Sequence, residues 1–426
     1  MVELLVDIEI NGEQVHVGTI RGTSMDDISF SYDERYIEET NAPISISMPV
    51  RKEAFGVETT RNFFEGLLPE GFTRRTIAKR MRVDNEDYVG LLSGLGQECL
   101  GAIRIYDHAD EQAEDSYELL SKEQVCELAR EGVVKSTEIL AKTHLSLTGA
   151  SGKVGLYYDG SHDNWYMPIG ILPSTHIVKL SHVRLEGIVA NEQLALMTAR
   201  RLGIDVPQSF VVNVGQGEDS EVLFATERYD RKCGDDCHDF HGLKIPHRLH
   251  QEDFAQAMGV AARDKYEKDG EGYLRRIFDL VRRYSSNPIE DTIKLWDMLV
   301  YDYLIGNTDN HIKNCSMLYT ENLKGMRLAP AYDILSTSIY DSSTRDMAMS
   351  IGGKFALDEI DRGSFEEAAS EAGLGRKLAM ERFDRLADAF ESALKESAAE
   401  LKEIGIVKAE NIKNEILLTG GIARLG

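Results

Sequence analysis

Three polar side chains in the C-terminal half have the types and spacing of a site that handles a proton and a divalent cation. Asp309 and Asn314 stand five residues apart in Gly306-Asn-Thr-Asp-Asn-His-Ile-Lys-Asn314, and Asp333 follows in Leu328-Ala-Pro-Ala-Tyr-Asp-Ile-Leu335. A carboxylate can accept a hydroxyl proton, and a carboxamide with a second carboxylate supplies the hard oxygen ligands that suit Mg2+. The loop follows an apolar helical run, Ile293–Leu304, and so has a rigid support. Asn-Thr-Asp-Asn is also ordinary turn chemistry, because these side chains bond their own backbone. The chemical reading therefore needs partners elsewhere in the chain.

The Asp309–Asn314 spacing equals the separation of base and metal-holding Asn in the H-R-D-x-x-x-x-N loop of protein kinases. Upstream, Ser146-Leu-Thr-Gly-Ala-Ser-Gly-Lys153 carries Gly149 and Gly152, which let backbone N–H groups approach a phosphate. It lacks the spacing and the Gly-Lys-Ser/Thr ending of a Walker A loop, and a plain turn remains an alternative. Lys179 lies among apolar residues in the strand His176–Leu180, where an amine either meets an anion or reaches solvent from a sheet edge. Glu192, on the next helix, is the nearest candidate to orient it. Phe224-Ala-Thr-Glu-Arg-Tyr-Asp-Arg231 ends a sheet and offers backbone groups at Glu227 and Tyr229 to an adenine. Each signal is weak alone. Their order along the chain (phosphate loop, strand lysine, hinge, base, metal ligand) is that of a phosphoryl-transfer enzyme.

The rest of the chain sets the frame. Its 426 residues exceed a single core, and a three-part α+β organisation is expected: a β-rich subdomain over 1–106, a sheet-bearing part over 107–246 and a helical lobe over 247–426. Strands are expected at Leu4–Ile10, Gln14–Ile20, Ile28–Tyr32 and Ile44–Met48, with Asn11-Gly12 as a hairpin turn. Residues 107–122 read as an acidic surface connector. The basic run Thr73–Arg82 reads as the solvated face of a short helix. The net charge of −24 argues against a general nucleic-acid coat, and no apolar run suits a membrane span. Five cysteines give no disulfide framework, which fits a reducing cytoplasm. Cys233, Cys237, His238 and His241 match no zinc spacing and read as a polar insertion, and Cys315 reads as a small core residue.

Taken together these residues resemble the HipA family of serine/threonine kinase toxins. The resemblance rests on Ser146-Leu-Thr-Gly149 with Lys153, Pro173–Lys179, Asn191-Glu192, Glu227–Arg231, Arg248–Phe254, Lys265-Tyr-Glu267, Gly306–Asn314 and Tyr332-Asp333. Phe63–Gly71 resembles the family's N-terminal subdomain. The resemblance implies a bilobal kinase-like fold using ATP and Mg2+, with Asp309 as catalytic base and Asn314 and Asp333 as metal ligands. It implies that Leu147, Thr148, Gly149, Ala150, Ser151, Gly152 and Lys153 cover the phosphates and that Lys179 contacts them. Glu227, Arg228 and Tyr229 would hold adenine, with His311, Ile312, Lys313, Asn314, Tyr332 and Asp333 beside the nucleotide. Ser146 falls where the family autophosphorylates, and Thr148 is a second hydroxyl in that loop. The implied partners are a helix-turn-helix antitoxin of the HipB type, operator DNA mainly through that antitoxin, and an aminoacyl-tRNA synthetase as substrate class. Two alternatives stay open: a phosphotransferase for a lipid or small alcohol, and a kinase-like corepressor without catalysis.

Overall fold

Asn11 and Gly12 take positive φ (52° and 82°), as a tight hairpin turn requires, and join β1 (Val2–Ile10) to β2 (Glu13–Gly22). The computed structural model describes residues 2–39, 42–107, 114–132, 139, 152–181, 185–234 and 237–425. The fold is α+β. It divides into two units: residues 1–180, 225–262 and 318–326 form one, and residues 181–224, 263–317 and 327–426 the other.

In the first unit, β3 (Ser29–Tyr32) and β4 (Ile103–Tyr106) flank the hairpin in the order β3-β2-β1-β4. Leu4, Val6 and Ile8 alternate along β1 with their side chains buried, the period a one-faced sheet demands. The basic run forms the helix Gly71–Met81, which buries Thr73, Ile77 and Ala78; Arg75, Lys79 and Arg80 are exposed as expected, while Arg74 is enclosed and pairs with Glu65 at 2.8 Å. Ile44–Met48 is not a strand. It follows Pro43, and side chains replace the ladder: Glu252 accepts from Ser45 Oγ (2.6 Å) and Ile46 N–H (3.0 Å), and Tyr32 Oη donates to the Met48 carbonyl (2.7 Å).

The second sheet of this unit has the order β5 (Ser116–Leu119), β7 (Asn164–Ile169), β6 (Lys153–Asp159), β8 (His176–Leu180), with residues 225–227 of the strand Val222–Glu227 beyond β8. Part of the expected acidic connector is therefore an edge strand. Ser116–Leu119 pairs with Ile169–Tyr166 despite its polar composition, because an edge leaves one side of the strand in water. The helix Lys122–Glu131 that follows also escaped the sequence reading, although Ser121 and Gln124 form a reciprocal capping box. The Cys233–His241 insertion ends in a small hairpin, Asp239–Phe240 with Leu243–Lys244, turned by His241 and Gly242 at positive φ (54° and 90°). Among the described residues no group of three or more His, Cys, Asp or Glu is arranged to hold a metal.

A buried ionic cluster ties three distant segments of this unit together. Arg228 donates to Glu98 (3.1 Å), Asp230 (2.7 Å), Ser174 Oγ (3.0 Å) and the Cys99 carbonyl (3.0 Å), and Arg231 reaches Glu98 at 3.2 Å. Burial opposes ionisation of Glu98, but Arg228 and then Arg231 hold its carboxyl below the usual range. Removing one partner strands the other charges in a dry site, so Glu98→Ala is expected to cost about 3–5 kcal/mol. Urea unfolding of wild type and variant checks this; a loss under about 1 kcal/mol, the worth of a surface pair, would contradict it.

The second unit is mainly helical. Ile188–Arg201, Tyr273–Tyr284, Pro288–Ile305, Arg376–Glu403 and Lys408–Thr419 are its long helices. Pro288–Ile305 is central and buried along much of its length. Trp296 Nε1 donates to the Ala379 carbonyl (3.0 Å), Tyr301 Oη to Ala195 (2.6 Å) and Tyr303 Oη to Ile360 (2.9 Å). Each large ring thus meets its polar need while filling the core. Phe365 meets Phe383 at a tilt and Tyr303 and Trp296 edge-on, with centroids 4.7, 5.1 and 5.9 Å apart. This packing fixes the C-terminal end of the helix, from which the Asp309 loop departs.

Candidate active site

Gly306 ends that helix in the left-handed conformation (φ 75°), and a Cβ there would stand 2.1 Å from Ser338 Oγ, so glycine alone fits. The Gly306 carbonyl accepts from the N–H groups of Thr337 and Ser338, both at 3.0 Å. Thr308 adds two bonds to Thr337 Oγ1, from its N–H (2.6 Å) and with its hydroxyl (2.8 Å). Asn191 closes the far side by a reciprocal pair with Ser336: its Nδ2 donates to the Ser336 carbonyl (2.8 Å), and Ser336 N–H donates to its Oδ1 (3.0 Å).

Asp302, which the sequence reading passed over inside an apolar helix, shapes the loop from below. Its carboxyl is buried and accepts from Asn307 Nδ2 at 2.8 Å and from Asn310 Nδ2. Asn310 Oδ1 in turn meets Cys315 Sγ at 3.8 Å, and burial pushes that thiol's pKa up, as a core cysteine requires. Two of the loop's three asparagines are thus structural. The signal that would have found Asp302 is a lone carboxylate one turn before a Gly-Asn pair.

Asp309 and Asn314 are brought together by the backbone. His311 N–H donates to the Asp309 carbonyl (2.8 Å), Asn314 N–H to the His311 carbonyl (2.8 Å), and Asn314 Nδ2 to the Asp309 carbonyl (3.0 Å). Asp309 Oδ1 accepts from the Tyr266 hydroxyl at 2.5 Å, and the Tyr266 ring meets His311 edge-on at 5.1 Å. Ile312 is fully buried and packs the loop down, while His311, Lys313 and Asn314 are also mostly enclosed. Tyr332 Oη donates to the Lys313 carbonyl (2.9 Å) and lies 2.6 Å from Ser316 Oγ, which ties the Asp333 turn to the same loop. Asp333 has φ of 57°, a left-handed conformation unusual for a residue with a Cβ and common at functional turns.

On the first unit, Lys153 and Lys179 occupy directly opposed positions on β6 and β8. Both are enclosed, 8% and 9% exposed, and β8 is an interior strand, so the solvent-edge reading of Lys179 does not hold. Residues 225–227 lie beside β8, and Arg228 N–H donates to the Thr175 carbonyl (2.9 Å). The Arg228 side chain is engaged in the ionic cluster. Glu227 is exposed and Tyr229 Oη donates to Gln251 Oε1. Gly152 is buried; Ser146, Leu147, Thr148, Gly149, Ala150 and Ser151 lie outside the described residues. Glu192 is buried within its helix.

Family models match most of the chain: a HipA N-terminal domain over residues 8–106 and a HipA-like C-terminal domain over 145–394. The chain belongs to the HipA family. Y4mE of Sinorhizobium fredii, a kinase by name, is 34% identical over 383 residues, covering 86% of each chain. The serine/threonine-protein kinase toxin HipA of Shewanella oneidensis is 26% identical over 373 residues, 84% of this chain and 82% of that one. The solved complex of Shewanella oneidensis HipA with HipB and operator DNA contains a chain matching 99% of this one and matched over 97% of its own length. It has a TM-score of 0.80 at 23% identity, a likeness of fold.

Burial pushes the Asp302 carboxyl up to about 7, although the Asn307 amide favours its ionised form. Between about pH 4 and 7 the folded HipA-family chain keeps a proton there that the unfolded chain has lost. This group's contribution to stability therefore falls as pH rises through that window. Unfolding free energy measured across it is expected to decline less steeply in Asp302→Asn than in wild type; equal slopes would contradict the assignment.

Proposed function

We propose that this chain is an ATP- and Mg2+-dependent serine/threonine protein kinase acting as the toxin of a type II toxin–antitoxin pair. The observation that carries the reading is the Gly306–Asn314 loop, in which the Asn314 carboxamide and the Asp309 backbone are locked together at the spacing a kinase uses. Family membership and relatives named as kinases support it.

Asp309 is the base that takes the acceptor hydroxyl's proton. Lys153 and Lys179, with Leu147 to Gly152, hold ATP phosphates, and Glu227, Arg228 and Tyr229 present backbone to adenine. Arg228 holds the hinge in place, since its guanidinium is spent on Glu98 and Asp230 and its N–H on the Thr175 carbonyl. Asp333 and Asn314 are the ligands for Mg2+, and His311, Ile312, Lys313 and Tyr332 line the nucleotide side of the loop. One carboxylate and one carboxamide are hard oxygen donors, a set that fits Mg2+, which keeps waters and phosphate oxygens in its shell. The cation, when bound, neutralises charge developing on the transferred group. Ser146 and Thr148 are the autophosphorylation sites; a phosphate there, carrying about −1.5 to −2 charges, repels the nucleotide phosphates and turns the enzyme off.

A HipB-type helix-turn-helix antitoxin is the proposed partner, with operator DNA reached through it, because the matching fold was solved in such a complex. The net charge of −24 agrees with DNA contact made by a partner rather than by a basic face of this chain. An aminoacyl-tRNA synthetase as substrate class and a cytoplasmic location are the family's implication. Among the described residues no helix is long and apolar enough to cross a membrane.

Incubation with γ-labelled ATP and Mg2+, followed by phosphosite mapping, is expected to label Ser146 or Thr148 in wild type and neither in Asp309→Ala. Label that survives Asp309→Ala would overturn the assignment of the base. Lys179→Met is expected to weaken ATP binding by about tenfold or more by calorimetry, the loss of one charge-assisted contact; unchanged affinity would remove Lys179 from the phosphate site.

A further inference from the structure

The Tyr266–Asp309 contact has the chemistry of an acceptor complex. A hydroxyl donates to the carboxylate that, on the reading above, receives the acceptor's proton, and it does so at 2.5 Å. A serine or threonine acceptor must present the same kind of donor to the same carboxylate. We propose that Tyr266 is the gate on the acceptor side: its hydroxyl holds the acceptor's place on Asp309, and a substrate binds by displacing it. The inference rests on Asp309 being the base.

The surroundings of Tyr266 suit displacement of the ring and not of the backbone. Its side chain is partly in solvent, 44% exposed, with its ring perpendicular to His311 and Lys265 Nζ 5.4 Å from its centroid, so it can swing away without opening the core. Its neighbour Glu267 is pinned. Glu267 N–H donates to the Ala348 carbonyl (3.0 Å), and its carboxylate accepts from Ser350 N–H (2.7 Å) and Tyr273 N–H (3.0 Å). On the other side the Asp264 carbonyl accepts from Tyr273 Oη at 2.7 Å. The phenol is thus tethered to a fixed strap and competes at the high effective concentration of an intramolecular group.

This has a consequence for acceptor choice. Water or a small alcohol offers Asp309 one hydroxyl and few other contacts, and so competes poorly with a tethered phenol. A protein acceptor brings the rest of its surface and can displace it. Tyr266 would therefore select against hydrolysis of ATP and against small acceptors, favouring a protein hydroxyl over a metabolite.

The test is ATP hydrolysis without any added acceptor, followed as ADP release with Mg2+, in wild type, Tyr266→Phe, Tyr266→Ala and each combined with Asp309→Ala. Phenylalanine keeps the ring on His311 and removes the donor. Hydrolysis that depends on Asp309 is expected to rise about threefold to tenfold in Tyr266→Phe, the scale of one displaced exposed hydrogen bond, while the KM for ATP stays unchanged. In the same variant, the KM for a peptide copying Thr143–Lys153 is expected to fall without loss of kcat. Asp309-dependent turnover that is equal or lower in Tyr266→Phe overturns the gate and makes the phenol a positioning group. Absence of Asp309-dependent turnover in every form, with or without the peptide, overturns the phosphotransfer reading and the gate with it.

Discussion

The arrangement of the candidate site depends on how one buried helix is ended. Pro288–Ile305 is held by ring and carbonyl bonds along its length, and its last turn carries Asp302, whose carboxyl receives the amides of Asn307 and Asn310. Gly306 supplies the left-handed turn for which no side chain leaves room. A carboxyl buried at this depth is costly, and the two amides offset that cost only while the loop keeps its shape. The loop is therefore rigid because a core group needs it to be. Asp309, half-buried at its crest, inherits the precision without contributing to the core, the division of labour expected of a working loop on a packed scaffold.

The opposed lysines pose the complementary constraint. Lys153 and Lys179 are neighbours by strand register, so the sheet that presents one necessarily presents the other. Both amines are enclosed and engaged within the protein, and on the proposed reading the pair receives nucleotide phosphates. The Asp309 loop and this pair lie in different units of the chain.

Much of this was legible in the sequence, for physical reasons that vary by element. The Asn11-Gly12 hairpin and the apolar helix before Gly306 declare themselves through period and turn chemistry, which are local. The Asp309–Asn314 pair is also local, because five residues of turn bring the two together. Ile44–Met48 misled because its alternation is real but its backbone is satisfied by Glu252 and Tyr32, remote residues that no local pattern announces. Ser116–Leu119 misled in the opposite sense, since an edge strand tolerates the acidic composition of a connector. Tyr266, in Lys265-Tyr-Glu267, shows no role locally, because its meeting with Asp309 spans 43 residues of chain. Lys153 and Lys179 were each noticed, but their pairing is a fact of register that neither segment carries alone.

The most direct test of the account is a crystal structure of the full chain grown with a non-hydrolysable ATP analogue and Mn2+, whose anomalous signal marks the cation. The account predicts Mn2+ in bonding contact with the Asp333 carboxylate and the Asn314 carboxamide, and phosphate oxygens on Lys153 and Lys179. A nucleotide bound away from the two lysines, or a cation that leaves Asn314 and Asp333 untouched, would contradict it.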